Sequence, residues 1–98
     1  MTTNKQVPAI DFTKVDALRK HMLLTTSNMA KLLGVSRMTY YGYLKGNAPQ
    51  RAKAEKVRAA LKKLLHIMAN YEWPTPEVLE MEQQDRVTHL SELMESLD

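Results

Sequence analysis

Cysteine is absent from the 98 residues, which excludes a disulfide framework and any cysteine-ligated metal centre. No apolar run approaches the roughly twenty residues that a membrane span requires, and the opening MTTNKQVPAIDF lacks the apolar core of a signal peptide. These absences lead us to expect a cytoplasmic protein with no membrane partner. A glycine-rich phosphate loop is missing, and His21, His66 and His89 are too scattered along the chain to suggest a metal site. The carboxylates gather near the C-terminus with no nucleophile or oriented base beside them, so an active-site search fails at its first steps. We expect neither an enzyme nor a cofactor.

Charge is present and unevenly spread. From Met1 to Asn70, thirteen Lys and Arg stand against Asp11, Asp16 and Glu55, a net of +10; from Tyr71 onward, Arg86 alone stands against eight Asp and Glu, a net of −7. Two readings fit: a basic body that faces a polyanion and carries an acidic tail, or two solvated faces. A chain of this length forms one small domain that buries about 60–70% of its unfolded surface, so its stability is modest or shared with a partner.

The hydrophobic pattern is helical. Residues 1–10 show no periodicity and read as a flexible N-terminal arm with Lys5 its one charge. Asp11 can cap a first helix to about Leu23, with Phe12, Val15, Leu18 and Met22 as its buried stripe and Lys14, Arg19 and Lys20 outward. Thr25 is placed to cap the next helix, and Leu24 can staple onto Met29. That helix buries Met29 and Leu32 or Leu33, then stops at Gly34, the residue type that takes a left-handed conformation without penalty. Val35 fills the corner, Ser36 caps a further helix from Arg37 to Lys45, and Gly46 with Asn47 ends it.

Ala30, Gly34, Val35, Ser36, Tyr40, Tyr43 and Gly46 make the spacing informative. At these positions the stretch from Thr25 to Gly46 resembles the helix-turn-helix of the phage-repressor family, the Cro and lambda-repressor-like domains. Where that family often opens its first helix with glutamine, this chain has Thr26. The resemblance implies an all-α, compact helix-turn-helix bundle of about five helices, with residues 11–70 as the DNA-binding domain, an acidic C-terminal helix appended to it, and double-stranded DNA as partner.

At about 100° per residue, Tyr40, Tyr43 and Leu44 share one side of the second helix, and Met38, Tyr41, Gly42 and Lys45 share the other with Arg37 at its edge. The first set is expected inside. On the second, Arg37 suits a bidentate contact to guanine, Met38 and Thr39 an apolar contact to a thymine methyl, and Tyr41 and Lys45 phosphates. Tyr41 and Met38 alternatively cover core or a dimer partner. Gly42 either admits a phosphate backbone or neighbouring helix, or is unimportant. The resemblance adds Thr26, Ser36, Asn47, Gln50, Arg51 and Lys53 as DNA contacts.

Asn47 is a candidate cap and Pro49 a candidate first-turn residue for a long helix to about Asn70, burying Ala54, Val57, Ala60 or Leu61, Leu64, Leu65 and Met68. Two prolines interrupt the pattern at NYEWPTP, where Trp73 is expected to anchor the C-terminal segment to the body. Thr75, Pro76 and Glu77 then start an acidic C-terminal helix to about Leu97, broken near Gln84. Its stripe of Val87, Leu90, Leu93, Met94 and Leu97 suits a second copy in a homodimer, another partner, or the chain's own core. Residues 71–98 are thus expected as an acidic extension for dimerisation or partner binding.

The function expected is a sequence-specific DNA-binding transcriptional regulator, dimeric on an inverted repeat. One alternative is an adaptor that grips a transcription-machinery protein, such as RNA polymerase or a host regulator, through its acidic tail. In another, the tail folds over the basic face until a partner removes it.

Overall fold

A computed structural model describes residues 10–97, and the expected arm lies outside the described residues except for Ile10. Side-chain caps set four of the six helix starts among the described residues. Helix α1, Phe12–His21, begins where the Asp11 carboxylate accepts from the Thr13 amide at 3.0 Å. It ends short of Leu23 because that residue takes φ 64, a left-handed conformation no helix continues through. Thr25 Oγ1 accepts from the Asn28 amide at 3.1 Å to open α2, Thr26–Leu33. Gly34 closes α2 at φ 80, and the Val35 amide donates back to the Ala30 carbonyl at 3.0 Å. Ser36 opens α3, Arg37–Leu44, by accepting from the Thr39 amide at 3.0 Å.

Helix α4, Arg51–Asn70, starts differently from expectation. Gln50 is its cap and makes no side-chain bond, Pro49 precedes the helix, and Asn47 turns back to α3. The final helical region is two pieces, α5 (Pro76–Leu79), capped by Thr75, and α6 (Gln83–Ser96). Their break falls at residues 80–82 rather than near Gln84. Six helices and no strand make up the described residues, an all-helical fold.

One apolar core joins all of them. Met29, Ala30 and Leu33 of α2, Tyr40 and Tyr43 of α3, and Phe12 and Val15 of α1 meet Val57, Leu64 and Ile67 of α4. The same cluster contains Trp73, Val78, Val87 and Leu90, so the acidic segment is a structural part of the fold rather than an appendage. On α4 the buried line runs through Ile67, while Leu65, expected inside, is 49% exposed and Met68 only half-buried. The stripe is rotated because α4 packs against both α2 and α6 and centres its apolar face between them.

Long-range polar contacts lock the pieces. The Trp73 indole N–H donates to the Met22 carbonyl at 3.0 Å. The left-handed turn at Leu23 aims its carbonyl at the start of α6, where Gln83 Nε2 (2.9 Å) and Arg86 Nη1 (3.1 Å) both donate to it. Arg86 also donates to the Val78 and Leu79 carbonyls, which satisfies the end of α5. Arg19, expected outward, instead pairs with Asp16 at 2.7 Å and donates to the Leu24 carbonyl at 2.9 Å.

Candidate functional site

The orientation of α3 decides what this protein can present. Its inner side is fixed by Tyr40, fully buried, and by Tyr43, whose ring stacks on Phe12 at 4.7 Å. Tyr40 carries a hydroxyl into this environment and satisfies it by donating to Asp16 Oδ1 at 3.0 Å. Burial first, and then this bond, pushes the Tyr40 phenol well above its ordinary range. The hydrogen bond from Arg19 holds the Asp16 carboxyl below the usual carboxylate range, with Tyr40 adding to the effect.

With that side anchored, the other side of α3 must face outward. Arg37, Met38, Thr39, Tyr41 and Lys45 are all exposed, Met38 at 84%. Among the described residues no carboxylate pairs with Arg37 or Lys45. The Tyr41 hydroxyl shares a 3.0 Å hydrogen bond with Thr26 Oγ1 in the first turn of α2, and the Arg37 guanidinium lies 5.5 Å from the centre of the Tyr41 ring. The Thr26 bond, followed by the Arg37 charge, draws the Tyr41 phenol below its ordinary range. Thr26, Arg37 and Tyr41, from two helices, therefore form one contiguous group.

The remaining candidates divide. Ser36 Oγ is spent on the Thr39 amide and hydroxyl, which makes Ser36 a cap first. Gly42 is half-buried because Asn47 folds over it. A Cβ at Gly42 would meet Asn47 Nδ2 at 2.9 Å, so the close neighbour is a side chain of the following turn and not another helix. Lys53 is half-buried and donates to the Gly34 carbonyl at 3.3 Å, tying α4 to the corner between α2 and α3. Gln50 and Arg51 are exposed, and Arg51 approaches Glu55 only at 3.9 Å, a surface pair of little energy that leaves its donors accessible.

The expected partner stripe on α6 is largely consumed. Val87 and Leu90 lie at 3% and 0% exposure in the chain's own core, drawn there by α2 and α4, and are withdrawn from any second chain. Leu93, Met94 and Leu97 remain half-exposed.

Sequence reasoning missed a groove of about 720 Å³ between the start of α1, the end of α3 and the start of α4, lined by Phe12, Tyr43, Leu44, Asn47, Pro49, Arg51 and Ala54 among others. Its only trace in the sequence is the connection GNAPQ, which crosses between two helices without a large apolar side chain to fill the space. Among the described residues, no group of acidic side chains, histidines or cysteines could hold a metal ion, and no helix is long and apolar enough to cross a membrane. No family model, curated protein or solved structure matches this chain.

Proposed function

We propose that this chain is a sequence-specific, double-stranded DNA-binding regulator of transcription, built as a lambda-repressor-like helix-turn-helix domain that lays α3 in the major groove. One observation carries the reading: Arg37, Met38, Tyr41 and Lys45 stand in solvent on a helix whose opposite side, Tyr40 and Tyr43, is buried. The first residues of such a helix reach base edges. Arg37 reads guanine, and Met38 and Thr39 meet a thymine methyl. Lys45, Asn47, Gln50 and Arg51 hold phosphates, with Thr26 and Lys53 at the margin.

The net +10 of residues 1–70 supplies the long-range attraction. One short helix in a groove binds weakly, so two copies read an inverted repeat with half-sites about 34–36 Å apart. Leu93, Met94 and Leu97 are what α6 leaves for the second copy. The test is titration of the full chain with duplex DNA over a range of salt. The log–log slope is expected near −0.9 for each phosphate neutralised; a flat response overturns the reading.

The second reading, an adaptor that grips RNA polymerase or a host regulator, is favoured by the exposure of Glu77, Glu80, Glu82, Asp85, Glu92 and Glu95 on α5, α6 and the turn between them. Retention of polymerase after nuclease digestion, by a protein that shows no salt-dependent duplex binding, would select it.

A further inference from the structure

The contact between α2 and α3 at Tyr41 assigns that residue a task other than touching DNA. Arg37 and Tyr41 are one helical turn apart on α3, and the guanidinium sits 5.5 Å from the ring centre. Ring face and hydroxyl together hold the cation, the hydroxyl engaging only part of its five-donor fork, whereas a carboxylate would occupy the paired donors that guanine needs. None of the described carboxylates pairs with Arg37. The ring itself is not free to turn away, because its hydroxyl is bonded to Thr26 Oγ1 at 3.0 Å, on a different helix. A long arginine side chain on an exposed helix otherwise samples many rotamers, and ordering it on binding opposes affinity.

From this geometry, and resting on the DNA-binding reading above, we infer that Tyr41 is a positioning residue: pinned to Thr26 of α2, it restricts the Arg37 guanidinium to one place on the exposed side of α3 for base readout. Sequence preference at the Arg37 base is thereby set by a residue of the supporting helix.

The experiment selects bound fragments from a pool of random-sequence duplex DNA with the full-length wild type, then measures base preference, position by position, for Arg37→Ala, Tyr41→Leu, Thr26→Val and the double variant Arg37→Ala/Tyr41→Leu. Thermal melts establish that each is folded. Arg37→Ala should cut preference at one base position by roughly 5- to 150-fold. Tyr41→Leu should cut preference at that same position by roughly 2- to 5-fold, with the double variant no worse than Arg37→Ala alone. Thr26→Val, which keeps the ring and frees it, should act at the same position and less strongly, whereas Tyr41→Leu effects spread evenly over all sequences, or adding in full to those of Arg37→Ala, would overturn the assignment. A Thr26→Val protein with unchanged preference at that base would overturn the pinning. If the wild type retains no duplex at any salt, the DNA-binding reading itself falls and takes this one with it; duplex binding with an unaltered Arg37 position in Tyr41→Leu defeats this inference alone.

Discussion

Tyr40 and Asp16 lie 24 positions apart in the chain and meet at 3.0 Å, the phenol of α3 donating to a carboxylate of α1 that Arg19 also grips. Together with the burial of Tyr40 and Tyr43, this bond holds the rotation of α3 about its own axis. Everything proposed about the exposed side of that helix depends on that rotation.

Tyr40→Phe keeps the buried ring and deletes the bond. A loss of about 1 kcal/mol in unfolding free energy is expected, below the roughly 1.5–3 kcal/mol usual for a bond to a charged acceptor because Asp16 retains Arg19 and some access to water. Chemical denaturation with an unchanged m-value is the measurement; no loss would mean the bond does not hold the helix.

Asp16 also gives stability a pH dependence with a definite sign. Its carboxyl is held below the ordinary range in the folded chain, chiefly by Arg19. Above the unfolded value of about 4 both states are ionised, and the contribution is fully present. As the pH falls below that value the unfolded chain binds the proton first, and the contribution is lost by the time the pH has passed the folded value. Comparing Asp16→Asn with wild type across this acid range should show the gap between them closing as the pH drops.

Arg51 and Arg37 should separate anchoring from readout. Arg51→Ala is expected to weaken all duplexes alike and to lower the salt slope by about 0.9 for one phosphate lost. Arg37→Ala should flatten preference at one position. Equal behaviour of the two variants would show that the division is wrong.

Arg86→Ala removes donors to the carbonyls of Leu23, Val78 and Leu79 at once. We expect a loss of about 2 kcal/mol, read as a fall in Tm of about 4–8 °C per kcal/mol. Arg86→Lys should not restore it, since a single ammonium cannot span three carbonyls in a fixed fork.

A chain cut after Asn70 loses Trp73, Val78, Val87 and Leu90 from the core cluster. It should fail to unfold cooperatively on heating. A folded, DNA-binding fragment would instead support a tail that merely covers the basic face.

The caps at Asp11, Thr25, Ser36 and Thr75 are legible in the sequence because each acts within three residues of itself. So is the inward set of Tyr40 and Tyr43, which comes from helical period alone. The stripe on α4 departs from its expected course at Leu65 and Ile67, where the choice between the two depends on the position at which α6 docks. Hidden too are pairs such as Asn28 with Gln83 at 3.0 Å and Arg86 with Leu23 at 3.1 Å. They join residues more than fifty apart, which no local pattern encodes. The fate of Val87 and Leu90 belongs to the same class: an apolar stripe states that it will be covered and leaves the covering surface undetermined.

Trp73 is the sole tryptophan, buried at 3% exposure where the acidic segment leaves α4, with its indole N–H on the Met22 carbonyl and its ring stacked 5.9 Å from His89. Its intrinsic emission is therefore a native optical gauge of one event, the seating of α6 on the body. A red shift at temperatures where backbone ellipticity is still intact would time the departure of that helix without any attached dye.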